Sequence, residues 1–294
     1  MKIKTTPAEK LFTAVNTVFM LLLMVVTLYP LVYVAFASVS SPEEMVRHTG
    51  ILLRPLGFTT GAYKMVFDNP MILQSYGNTL FYVLAGTALN IVMTTLAAFL
   101  LSRRSFMIKN ALMMFVVFTM FFNGGLIPNY LIVRSLGLYN TRLALILPTA
   151  ISTYNLIIMR TSLLALPASL EESAKIDGAS ELTVLIKIIL PLSMPIVAVM
   201  ILFYGVGHWN SWFNAMIYLR NRELYPLQLI LREILISSST DSMLTNLSTS
   251  VDKEPVSEIV KYATIMVATV PILLVYPFLQ KYFVKGVMIG AVKG

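Results

Sequence analysis

The 294-residue chain has no cysteine and only two histidines, His48 and His208. Disulfides and thiolate metal sites are excluded, and two histidines are too few for a typical zinc site. Charge is the next scarcity: Asp, Glu, Lys and Arg make up 12% of the residues, about half the share usual in a soluble domain. No Gly-rich phosphate loop ending in Gly-Lys-Ser/Thr occurs, and no His-Glu-x-x-His. Nucleotide binding by the first route and zinc-protease chemistry by the second are therefore closed. His208 lies deep in an apolar run, His48 lies in a loop, and neither has a nucleophile motif beside it, which removes a Ser/His/Asp triad. Ionisable residues inside the apolar runs are also too few for a relay of buried carboxylates.

What the chain has instead is hydrocarbon. It is 57% hydrophobic with a mean hydropathy of +0.78, and its apolar residues come in blocks rather than on alternating faces. A bilayer core about 30 Å thick takes about 20 apolar helical residues per crossing. Six stretches meet that need: Leu11–Ala37, Ser75–Leu101, Ala111–Val133, Leu143–Met159, Met194–Leu219 and Tyr262–Phe283. The expected fold is an all-α integral membrane protein of six transmembrane helices in one domain, 1–294. The first block is too long for a signal-peptide core and no small-residue cleavage site follows it, so it is expected to stay as a span. The net charge of +8 comes from scattered Lys and Arg, the bias of membrane loops rather than a nucleic-acid-binding stripe.

Gly and Pro interrupt most spans, at Pro30, Gly124-Gly125 with Pro128, Pro148, Pro195, Gly205, Gly207, Pro271 and Pro277. Such breaks persist at membrane depth where neighbouring helices or a wet cavity satisfy the freed backbone. Ordinary kinks in a passive bundle explain any one of them equally well. The short Arg103-Arg104 loop favours an orientation with both termini in the cytoplasm. That places residues 160–192 inside and 220–261 outside. The outer segment holds "YPLQLILREIL", read as an amphipathic helix, and then "SSSTDSMLTNLSTS", read as a flexible loop.

Between spans four and five, charge is suddenly dense: Glu171, Glu172, Lys175, Asp177, Glu181 and Lys187. Ser169 and Glu172 have capping-box spacing, and the acidic pair Glu171-Glu172 suits a first helical turn. Gly178 suits a helix end, and Ser180 can cap a second helix through "ELTVLIKIIL" to Pro191. A helix this short is marginal alone and becomes firm when docked. Ser173 and Ala174 leave room for a partner, and Glu172 offers a carboxylate to an arginine. A solvated loop with a capped helix fits the same pattern.

The run "ESAKIDGA…IKIILP" resembles the cytoplasmic motif of ATP-binding-cassette importer permeases. In that motif Glu-Ala-Ala is followed by three residues, Gly, nine residues and Ile-x-Leu-Pro. Here Glu172-Ser173-Ala174, Gly178 and Ile188-x-Leu190-Pro191 keep the spacing, with Ser173 in place of the first alanine. "NGGLIPNYLIVRSLGLYNTRLALILP", "HWNSWFNAMIYL" and the tail "YPFLQKYFVKGVMIGAVKG" are similar to the carbohydrate branch, and within it to permeases for oligosaccharides or polysaccharide fragments. The resemblance implies a type I importer permease fold in the plasma (inner) membrane of a prokaryote, and a pore subunit rather than an enzyme. It implies a sister permease in a heterodimer, two cytoplasmic ATPases holding ATP and Mg, an extracellular sugar-binding protein and a saccharide cargo. The chain itself would carry no cofactor. Glu171, Glu172, Ser173, Ala174, Asp177 and Gly178 would couple it to the ATPases.

Span five carries the densest polar group of any crossing: His208, Asn210, Ser211 and Asn214, with Trp209, Trp212 and Phe213 among them. In a continuous helix Asn210 and Asn214 share a face. Amides beside aromatic rings suit hydroxyl-rich sugars, so His208, Trp209, Asn210, Trp212, Phe213 and Asn214 are candidates for the substrate path. Interhelical hydrogen bonding with an interfacial aromatic belt is the competing reading. An ion-coupled secondary sugar transporter is the rival function; it calls for buried coupling charges and paired inverted halves, and neither is evident.

Overall fold

The computed structural model describes residues 6–103, 105–245, 259–275 and 277, with backbone only over 238–245. Among these residues the secondary structure is helical, without strands. The helices are α1 (Pro7–Ser38), α2 (Pro42–Arg47), α3 (Gly61–Phe67), α4 (Pro70–Ser102), α5 (Lys109–Phe121), α6 (Leu126–Ser135) and α7 (Leu143–Thr149). They continue with α8 (Thr153–Leu164), α9 (Ala168–Ile176), α10 (Glu181–Leu192), α11 (Met194–Trp209), α12 (Phe213–Tyr218), α13 (Leu227–Thr245) and α14 (Ile259–Val275).

Among the described residues two helices, α1 and α4, are long and apolar enough to cross a bilayer unbroken. Three further candidate spans are bent pairs: α5–α6 by 118°, α7–α8 by 49° and α10–α11 by 84°. Span three is thus not the single crossing expected over 111–133. The chain turns back at Asn123–Gly125, where Gly125 has φ +83° and its N–H donates to Asn123 Oδ1 at 3.0 Å. A residue with a Cβ resists that backbone angle. The sixth span is described from Ile259; its extension to Phe283, with Lys281, Lys285 and most of the family-like tail, lies outside the described residues. The serine- and threonine-rich segment expected as a loop is helical up to Thr245, because α13 starts on the buried run Leu227, Leu229, Ile230 and Leu231 and runs on into the segment; its remainder lies outside the described residues.

The chain forms two compact units. One comprises the chain up to Asn69 together with Leu231–Thr269. In it, α1 begins with a capping box in which Thr6 and Glu9 satisfy each other's backbone N–H. Its side chains are exposed from the start through Leu28, and the hydroxyls of Thr13, Thr17 and Thr27 donate to carbonyls four residues back at 2.7–2.8 Å. Those hydroxyls are therefore satisfied within the helix itself. The far end of α1 is packed: Ala37 is fully buried, Tyr33 meets Tyr262 of α14 edge-on at 5.9 Å, and the Ser38 and Tyr63 hydroxyls lie 2.8 Å apart.

The second unit comprises Pro70–Ile230 and the chain from Val270 onward. Its main core joins Ala98, Phe99 and Leu101 of α4 to Leu156, Met159 and Leu163 of α8. It also takes in Ala174 of α9, Val184, Leu185 and Ile189 of α10, and Val197, Met200 and Tyr204 of α11. A second cluster unites Tyr82, Val133, Leu145, Ile146, Tyr218 and Leu229. In a bilayer this contact is held by close packing rather than by exclusion of water. Each atom pair contributes only about 0.1–0.2 kcal/mol, so it is the many contacts of buried side chains such as Met159 and Met200 that matter.

Candidate functional site

The charged island folds as a helix, a turn and a second helix. Helix α9 starts from Pro167, whose extended backbone is the N-cap, and no side chain caps it. The capping box expected of Ser169 and Glu172 is absent, because the helix begins at Ala168 and puts Ser169 inside the first turn. Glu171 alone is the first-turn acid. At the other end Gly178 has φ +80°. Its N–H donates to the Lys175 carbonyl at 3.1 Å, and that of Ala179 to the Ala174 carbonyl at 2.9 Å. These are the two bonds of a Schellman stop, with glycine in the left-handed position. Ser180 then caps α10, accepting from Thr183 N–H at 3.3 Å.

Helix α9 has two faces. Glu171 and Ala174 turn inward: Glu171 pairs with Arg103, and Ala174 is 8% exposed within the core cluster. The small side chain of Ala174 thus makes room for this chain's own helices, not for a partner as its size first suggested. Ser169, Glu172, Ser173 and Ile176, spaced three and four apart, are exposed, Ile176 at 86%. Asp177 and Gly178 are exposed at the tip. Glu172 makes no ion pair or hydrogen bond among the described residues, whereas Glu171 is fully engaged. Lys175 Nζ reaches Glu171 at 2.9 Å and Glu181 at 2.7 Å, so it straps α9 to the start of α10. Hydrogen bonds that Lys175 donates to Glu171 first and to Glu181 second raise its pKa above the usual 10.5. The strap therefore holds below that value and loosens only as the pH rises past it.

Arg103 was read from the sequence only as a marker of orientation. It is 8% exposed, its guanidinium lies 4.3 Å over the Phe99 ring, and Nη2 donates to Ser102 Oγ at 3.0 Å. Glu171 is its ion-pair partner. A hollow of about 280 Å³ at this point is lined by Arg103, Glu171, Glu172 and Lys175, with Ser102 and Pro167.

The polar group of span five lies across a helix break. Helix α11 ends at Trp209, and α12 restarts at Phe213. The shared helical face expected for Asn210 and Asn214 therefore does not exist. Both residues nevertheless line one cavity of about 400 Å³, together with Trp212, Phe213, Ser211, Ser152 and Asn155. Ser152 caps α8 at its break from α7 and Asn155 lies in the first turn of α8, so two interrupted spans open onto the same space. Neither residue was a candidate from the sequence; a polar pair just beyond Pro148 was the available signal.

His208 and Trp209 behave differently from their neighbours. Trp209 is 8% exposed, packs edge-on against Tyr76 at 6.3 Å and does not line the cavity. His208 touches the cavity, but its Nε2 is 2.7 Å from Asn90 Oδ1. Asn90 is fully buried, and its Nδ2 donates to the carbonyls of Thr149 and Ala150 at 2.6 and 2.9 Å. Carbonyls only accept, so the Asn90 amide nitrogen faces them and its oxygen takes the proton from His208 Nε2. The Tyr204 hydroxyl lies 2.7 Å from Thr94 Oγ1 and accepts from Ser152 N–H at 3.1 Å. These bonds satisfy backbone groups freed by the α7–α8 break, as a low-dielectric setting demands. His208 thus takes up the interhelical bonding role. Asn90, Thr94 and Tyr204, which sequence reasoning missed, complete it.

Residues 7–289 match the family described as "Binding-protein-dependent transport system inner membrane component". Protein LplC of Bacillus subtilis (strain 168) is 43% identical over 289 residues, covering 98% of this chain and 97% of its own. The polygalacturonan/rhamnogalacturonan transport system permease protein YtcP of the same organism is 43% identical over 287 residues, with 97% and 99% covered. Among solved structures, a chain of a bacterial ABC transporter involved in the import of the acidic polysaccharide alginate superposes with a TM-score of 0.84 at 31% identity. That match covers 96% of this chain and all of the other.

Proposed function

This chain belongs to the family of binding-protein-dependent transport system inner membrane components, and from that premise we propose that it lines the path of an oligosaccharide or polysaccharide fragment into the cell. It is the permease subunit of an ATP-binding-cassette importer, a pore component rather than an enzyme, and not an ion-coupled secondary carrier. Permeases of this family work with a sister permease, ATPase subunits and a binding protein. The finer assembly is part of the proposal: a heterodimer of permeases, two ATPases that hold ATP and Mg on the cytoplasmic side, and an extracellular sugar-binding protein. The α9 end and both termini then face the cytoplasm. The outer face of α9 (Ser169, Glu172, Ser173 and Ile176) seats on an ATPase, with Glu172 free to meet an arginine there.

The observation that carries the cargo assignment is the cavity at the two broken spans. Asn155, Asn210 and Asn214 can donate to and accept from hydroxyls, and Trp212 and Phe213 offer flat apolar faces to a sugar ring. No charged side chain lines it among the described residues, so it addresses hydroxyls and ring faces rather than carboxylates. The names of YtcP and of the alginate transporter point to polysaccharide-derived cargo in those proteins. The test is saccharide-stimulated ATP hydrolysis by the complex reconstituted with its cognate binding protein, screened across neutral and acidic oligosaccharides, amino acids and peptides. Stimulation by at least one oligosaccharide, lowered about tenfold by Asn214→Ala through loss of a buried polar contact, is expected. Stimulation by an amino acid or peptide alone would overturn the assignment.

A further inference from the structure

We propose that Arg103 is a positioning residue that passes the displacement of α9 to α4, and through Asn90 to the cavity wall. This rests on the reading of α9 as the ATPase-docking helix and extends it into the bundle. Besides Ala174 in the core, the inward face of α9 meets α4 through one charge pair among the described residues, the buried Arg103 with the part-buried Glu171. Arg103 is the residue at which α4 stops; its N–H closes on the Leu100 carbonyl at 3.2 Å. Around it the end of α4 is held by cations from two other helices. Lys109 Nζ, at the start of α5, donates to the Arg103 carbonyl at 3.0 Å, and Arg160 Nε of α8 donates to the Leu101 carbonyl at 3.0 Å. A push on α9 at Glu171 therefore arrives at a point where α4, α5 and α8 are already tied together.

From that point α4 runs without a break to Asn90, about 20 Å away at 1.5 Å per residue. Asn90 holds both His208 at the end of α11 and the open carbonyls between α7 and α8. These are the two interrupted spans that border the cavity. A helix is stiff along its axis, and its mid-point bonds are the ones that must yield if the cavity wall is to move. The burial of Arg103 suits the pair to this role. Taking Glu171 away leaves the buried Arg103 charge uncompensated, so Arg103 follows Glu171 rather than letting it go. An exposed pair would slip and be screened.

The test uses the assembled importer in lipid nanodiscs and a double-variant cycle of Arg103→Met and Glu171→Gln. The readout is the ratio of saccharide-stimulated to unstimulated ATP hydrolysis per assembled complex, measured beside the sugar moved per ATP. Each single variant is expected to lower the ratio by about fivefold or more, the scale of an allosteric coupling. The double variant is expected to lower it no further than the worse single. A bond that merely props the fold changes the yield of complex and leaves this ratio intact. Unchanged ratios, or losses that multiply in the double variant, overturn the relay, and ATPases still bound to α9 then leave the docking reading standing. A wild-type complex with no ATPase on the outer face of α9 overturns both.

Discussion

Gly86 lies where the structure has no space for a side chain: a Cβ there would overlap the His208 imidazole. The π-turn at Tyr82–Gly86 sets this contact in α4, one turn before Asn90. Gly86→Ala is expected to push His208 off Asn90 at a cost of about 1–3 kcal/mol, the range for forcing extra atoms into a filled site. Gly77 on the same helix has open space around its missing Cβ, so Gly77→Ala is the matched control. Thermal unfolding of the purified complex, compared for the two variants, reads the difference; equal melting temperatures would remove His208 and Asn90 from the packing account. In the turn before α7, Asn140 has φ +58° and its Oδ1 accepts from the N–H groups of Arg220 and Asn221 at 2.8 and 2.7 Å. Asparagine tolerates that left-handed backbone better than other side chains and also supplies the acceptor. One residue thus fixes the segment that leaves α12.

At the scale of the element, α9 shows which parts of a short helix can be read in advance. Its end was legible because Gly178 is a chemical stop: only a residue without Cβ enters the left-handed position freely. Gly178→Ala has room for the methyl but not the backbone angle, and is expected to cost about 1–2 kcal/mol. Pro cannot adopt a positive φ at all. Gly178→Pro combined with Glu172→Ala is therefore expected to abolish sugar uptake while the membrane level of the chain stays normal. Uptake at the original rate in that double variant would contradict the coupling role. The start of α9 was misread because Pro167 is the N-cap and the helix begins at Ala168, one residue before Ser169. The break at Asn210–Trp212 was not legible either, since it contains neither Gly nor Pro and is maintained by tertiary packing. The pairing of Arg103 with Glu171 is invisible in one dimension; it exists only once α4 and α9 are brought together. Asn90 was the clearer omission. An amide in the middle of an apolar run has to find partners inside the protein.

At the scale of the molecule, the all-helical membrane class followed from composition because bilayer thickness sets helix length, and family membership followed from a motif of about twenty residues. What composition could not supply is that three spans are bent pairs. All three bends fall within the second unit; that between α7 and α8 lies beside the cavity, and that between α10 and α11 follows the charged loop. Interrupted helices leave backbone carbonyls that need buried amides and hydroxyls. Here those groups come from α4 and α11, and α11 also supplies Phe203, Tyr204, Gly207 and His208 to the cavity wall. An importer that opens first to one side and then to the other needs such an element with two arrangements. The account gives that role to the broken spans and gives the drive to α9.

The absence of cysteine makes one measurement especially direct. Single cysteines placed by Ser169→Cys, Glu172→Cys, Ser173→Cys, Ile176→Cys and, as the inward control, Ala174→Cys are treated in the assembled importer with a short thiol-to-amine cross-linker. The account predicts that the four outward positions join the chain to an ATPase subunit and that Ala174→Cys does not. Failure of all four to reach an ATPase, or equal linkage from Ala174→Cys, would contradict it.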